Sequence, residues 1–195
     1  IVKKLVEEHM GSIEATNTEN HGALISILLP RYEGTREVII SNLKNNQDNA
    51  AIRFRLAIAY QSMGLFELAQ SHYEGVLTNQ EDNVVALNNL AGIYSQKRNP
   101  KALMVAKKAY RLVPESASIA DTYGYILLKN GRNKESLIVL KRAAELNPKL
   151  TEIQLHLAEA YIANQSAEQA KRVLQDLLKK GVIKKEDERR LMGKL

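Results

Sequence analysis

The chain has 195 residues, 45% of them hydrophobic, which supports a packed core and excludes an intrinsically disordered chain. Cysteine is absent, excluding disulfides and zinc–thiolate sites, and no apolar run approaches the roughly 20 residues of a membrane-spanning helix. The net charge of +6 is uneven: residues 1–49 carry five basic and seven acidic side chains, leaving 23 basic against 15 acidic in the rest.

At the N terminus, Ile1, Val2, Leu5 and Val6 share one helical face, and Met10-Gly11 ends that helix. Ser12 to Thr16 reads as a short strand, Asn17 to Gly22 as a turn, and Ala23 to Leu29 as a second strand stopped by Pro30. One helix and two strands cannot bury their own apolar faces. Residues 1–30 are therefore expected to be part of something larger or to pack on the rest of the chain. From Arg31 to Lys44, Val38, Ile39, Ile40 and Leu43 give a second helical face, and Gln47-Asp48-Asn49 reads as a loop. Residues 31–49 are expected to form a linker or half-repeat helix.

A repeat follows. A small residue recurs at Ala57, Ala91, Gly124 and Ala158, with steps of 34, 33 and 34. A second series runs through Ala69, Ala102, Ser136 and Ala170, with steps of 33, 34 and 34. Small residues let two helices approach closely, and a fixed period near 34 signals stacked helical hairpins. The period predicts four hairpins at 50–83, 84–116, 117–150 and 151–184, and a charged capping helix over 185–195 whose few apolar contacts are Leu191 and Met192. The second hairpin is one residue short at its turn, Arg98-Asn99-Pro100. Basic residues cluster around Lys97–Arg111 and Lys129–Arg142. Such a field can attract nucleic acid or anionic surfaces, but aromatics are only 5% and Trp is absent, a poor platform for stacking bases. The basic excess is expected on a solvated outer face, and nucleic acid is not expected as a partner.

The array resembles the tetratricopeptide repeat (TPR) family, on Leu56-Ala57, Tyr60, Gly64, Ala69 and Tyr73 in the first repeat and on Leu90-Ala91, Tyr94, Ala102, Ala109 and Pro114 in the second. Tyr123-Gly124, Gly131, Ala143 and Pro148 carry the third, and Leu157-Ala158, Tyr161 and Ala170 the fourth. The resemblance implies an all-α superhelix of stacked helical hairpins, an α–α solenoid, preceded here by a small helix and β-hairpin fragment. The texture of the array, with ALNNLA and Asp121-Thr122, Gly124, Tyr125, Ile126 and Leu127, is similar to TPR proteins of bacterial exopolysaccharide and surface-protein sorting (PEP-CTERM) systems. Gly92 and Tyr125 depart from that subfamily, which usually has Trp there. Residues 1–30 resemble the end of the ATP-binding catalytic domain of a sensor histidine kinase, on Gly11, Ile13, Gly22, Ala23 and Leu29-Pro30. The Asn and Gly boxes of that domain are missing and would lie upstream of Ile1. No GxGxxG or Walker-type loop is present, so this chain is expected to bind no nucleotide, to need no cofactor and to be no enzyme.

The TPR resemblance also implies a concave groove lined by the first helix of each hairpin. Its lining positions here are Arg55 and Ile58, Asn88 and Asn89, Asp121, Thr122 and Tyr125, and His156 and Glu159. Asn can hydrogen-bond the backbone of an extended peptide. Arg55 suits a carboxylate, and Asp121 and Glu159 suit basic side chains. The expected function is therefore a scaffold for a protein or peptide partner, with no small-molecule substrate. The alternative is the tail of a sensor kinase with a partner-sensing repeat module. His156 and Glu159 lie three apart on one helix face, a metal-ligand spacing only when a second helix supplies a matching pair, and none is visible. The expected location is cytoplasmic, on the kinase resemblance of residues 1–30, with the periplasm or cell envelope as the alternative that the exopolysaccharide resemblance favours.

Overall fold

The computed structural model describes residues 12–18, 22–28 and 50–193. The expected N-terminal helix and the helix expected from Arg31 to Lys44 lie outside these residues. The chain divides into two compact units, residues 1–86 and 87–195.

In the first unit, the backbones of β1 (Ser12–Thr18) and β2 (Gly22–Leu28) pair antiparallel, with Ser12 opposite Leu28 and Thr18 opposite Gly22. Helices α1 (Ala50–Ser62) and α2 (Phe66–Asn79) form a helical hairpin. Ala57 on α1 and Ala69, Tyr73 and Val76 on α2 are buried. Tyr73 is tied to α1 twice. Its hydroxyl lies 2.7 Å from Gln61 Oε1, and its ring meets Phe54 edge-on at 6.3 Å.

The second unit takes in most of α3 (Val84–Gln96) and all of α4 (Lys101–Leu112), α5 (Ala117–Lys129), α6 (Asn133–Leu146), α7 (Thr151–Ala163), α8 (Ala167–Lys179) and α9 (Lys185–Met192). The helical hairpins expected from the repeat period are present, and all eight small residues of the two series are buried. Gly124 shows why size is limited there. A Cβ at Gly124 would stand 2.7 Å from Leu140 Cγ and 3.4 Å from its backbone nitrogen, so α5 and α6 touch through a position that admits no side chain. The cap α9 buries Leu191 against Ala158, Ile162, Ala170 and Leu174, with Met192 packed beside it. It covers the apolar end that a last hairpin otherwise leaves bare.

Each hairpin turns in one way. A residue in the left-handed region follows the first helix: Gly64 at φ 75°, Arg98 at 53°, Gly131 at 72° and Gln165 at 58°. The next residue's N–H reaches back five residues, from Leu65 to Tyr60, Asn99 to Tyr94, Arg132 to Leu127 and Ser166 to Tyr161, at 2.8–3.0 Å. This is the Schellman closure of a helix C-terminus, which satisfies carbonyls the helix cannot. Beyond the turn, Ala69, Ser136 and Ala170 donate to the carbonyl four residues back, but Ala102 donates to Asn99, three back, at 3.0 Å. The missing residue of the second hairpin is thus absorbed by one tighter turn, and the small-residue register survives.

Candidate functional site

Asp121, Tyr125 and Lys129 fall at i, i+4 and i+8 on α5 and so share one stripe. His156 and Glu159 present from α7, the next first helix of the same unit. The structure joins the two. His156 Nδ1 lies 2.9 Å from both carboxylate oxygens of Asp121. The imidazole stacks on the Tyr125 ring, with centroids 3.9 Å apart and 19° between planes. Lys129 Nζ stands 4.7 Å above the same ring. Its pKa is raised above the ordinary lysine value, chiefly by hydrogen bonding to the Tyr125 hydroxyl and partly by attraction to Glu159, against some desolvation.

Burial assigns these groups different roles. Asp121 is 8% exposed, so its carboxylate is committed to His156. Within the chain, the partner of that carboxylate is the His156 ring. A carboxylate only accepts, so Nδ1–H is the donor in this pair. Nε2 makes no hydrogen bond among the described residues.

The other lining positions stand apart from this cluster. Thr122 turns its hydroxyl back to the Ser118 carbonyl at 2.9 Å. Asn88 and Asn89 are half-buried on α3, and the Asn88 Oδ1 is buried with no hydrogen-bond partner. In the first unit, Arg55 and Ile58 are exposed on α1. Lys129 was absent from the expected lining. Its spacing of one helical turn from Tyr125 is the signal that could have found it. Among the described residues no group of three or more His, Cys, Asp or Glu is placed to hold a metal ion. No described helix is long and apolar enough to cross a membrane.

A second histidine, the half-buried His72, lies in the first unit. His72 stacks on Tyr60 with centroids 5.3 Å apart, and its Nδ1 is buried without a hydrogen-bond partner. Burial, helped by the nearby Arg53 charge, lowers its pKa from the ordinary histidine value.

The comparisons agree with this architecture. Residues 127–182 match the tetratricopeptide repeat family model. A thermophilic TPR protein of Thermus thermophilus is 22% identical, with a TM-score of 0.61 over 84% of this chain and 90% of that one. A MamA structure from Desulfovibrio magneticus RS-1 is 14% identical, with a TM-score of 0.64 over 70% of this chain and 78% of that one. YrrB, described as a TPR protein with an unusual peptide-binding site, is 22% identical, with a TM-score of 0.59 over 70% of this chain and 71% of that one. No curated protein matches the sequence. The array therefore has the fold of TPR proteins.

Proposed function

We propose that this chain is a non-enzymatic scaffold that holds a protein or peptide partner on the face formed by its first helices. The observation that carries the reading is the Asp121–His156 pair, which crosses from α5 to α7 and is stacked on Tyr125. It fixes one imidazole in position and in tautomer. Nε2 then accepts a partner's N–H or O–H, Lys129 takes a carboxylate, and Glu159 takes a basic side chain. Asn88, Asn89 and Thr122 extend the polar face along the array, and Arg55 and Ile58 belong to the first hairpin. The peptide-binding site named for YrrB, a protein of similar fold, supports a peptide as the class of partner.

The test is capture of partners from source-cell extract by the intact chain, compared with Arg55→Ala/Asn89→Ala and with Tyr125→Ala/Lys129→Ala. A partner lost by both double variants, with helicity and melting retained, is the expected result. Capture unchanged in both removes the reading.

The order Gly11, strand, Gly22, strand, Leu29-Pro30 favours a second reading, in which the repeats are the partner-sensing tail of a sensor histidine kinase. It requires a native gene product carrying the Asn and Gly boxes upstream of Ile1 and autophosphorylating with ATP. On that reading the protein is cytoplasmic. The exopolysaccharide-type texture of the array favours envelope assembly instead, and fractionation of source cells separates the two.

A further inference from the structure

The second helices carry a different surface from the first. On α4, Lys101, Met104, Lys107, Arg111 and Leu112 fall on one stripe at helical spacing, and the helix contains no acidic residue. Met104 is 67% exposed, and Leu112 and Val113 are also open to solvent. One repeat on, Ile138 occupies the position equivalent to Met104 on α6, beside Lys134, and is 70% exposed. These are the two most exposed large apolar side chains among the described residues. The equivalent positions on α2 and α8 are Ser71 and Arg172, so the feature is confined to two consecutive second helices of one unit. Glu115, the acid next to α4, is ion-paired with Arg142 of α6, which also meets Glu145.

We infer that the α4–α6 outer face docks on an anionic lipid surface. Met104 and Ile138 protrude instead of lining a closed pocket, whereas protein hot spots sit in packed, aromatic-rich pockets. Flexible aliphatic side chains flanked by lysines suit the boundary between headgroups and acyl chains. Phosphate backbones would use the cations but gain nothing from Met104, Leu112 or Ile138. The nearby Tyr110 is engaged in stacking on Tyr123, with centroids 5.2 Å apart. Anionic headgroups use both parts of the patch.

The experiment is co-sedimentation of the full chain with phosphatidylcholine vesicles, with and without phosphatidylglycerol, at low and high salt. Binding to the anionic vesicles alone is expected, weakening with salt. Lys107→Ala and Arg111→Ala are each expected to reduce the partition coefficient about fivefold. Met104→Gln/Ile138→Gln leaves the charge unchanged and is expected to reduce it at least as much as either, with the circular dichroism spectrum preserved. Absence of binding to anionic vesicles overturns the inference. So does binding unmoved by the Gln double variant, which would mark diffuse attraction to a basic chain, or preferential binding to duplex DNA.

Discussion

The hydroxyl of Ser136 donates to the backbone carbonyl of Gly124 at 2.7 Å, in a fully buried crossing of α6 on α5. The two residues belong to the two small-residue series, and the bond exists because neither helix has a bulky side chain between them. Gly124→Ala is expected to destabilise the protein by about 1–3 kcal/mol, since Leu140 must leave its place and its backbone cannot. Ser136→Ala is expected to lose only about 0.5–1.5 kcal/mol, because the Gly124 carbonyl sits within α5 and keeps its helical partner. Urea denaturation of the two variants ranks them, and a larger loss for Ser136→Ala would mean the hydrogen bond outweighs the close approach.

Two hairpin turns put a non-glycine residue where φ is positive, Arg98 and Gln165. The left-handed region is unfavourable for a residue with a Cβ, by about 1–2 kcal/mol. Part of that returns as the greater chain entropy of unfolded glycine. Arg98→Gly and Gln165→Gly are each expected to stabilise by about 0.5–1 kcal/mol. Gly131→Ala is expected to shift the denaturation midpoint the other way.

His72 makes stability depend on pH. Its folded pKa lies below the ordinary value of 6.5, so the unfolded chain binds the proton more readily. Above that value both states are neutral and the group contributes nothing. As pH falls below it, the unfolded state gains protons first and stability declines, until the folded pKa is also passed. The slope is at most about 1.4 kcal/mol per pH unit for one group. Comparing unfolding free energies at pH 7 and pH 5 for the parent and His72→Phe isolates the effect, which is expected to disappear in the variant.

The Asp121–His156 pair separates charge from hydrogen bonding. His156→Ala leaves a nearly buried carboxylate without its donor and is expected to destabilise by about 1–3 kcal/mol. Asp121→Asn retains an acceptor toward Nδ1 and is expected to lose less. Equal losses in thermal melts would mean that the ionic part of the pair dominates.

The repeat was legible in the sequence because it rests on one-dimensional regularity. Ala57, Ala91, Gly124 and Ala158 recur at a fixed period, since each stacked hairpin repeats one crossing geometry and tolerates only a small residue there. The shortened second turn could be read the same way, from one missing position near Arg98. The candidate site was only partly legible. Asp121, Tyr125, His156 and Glu159 could be placed on first-helix faces by register, yet register does not say that Asp121 and His156, 35 positions apart, are hydrogen-bonded. Nor does it say that Ser136 reaches the Gly124 carbonyl, or that Met104 and Ile138 are left uncovered. The sequence by itself determined the helical hairpins and their spacing, because these follow from local periodicity. The tertiary structure decided which polar groups are consumed within the chain and which stay exposed, because burial and pairing depend on the lateral packing of helices, which periodicity does not encode.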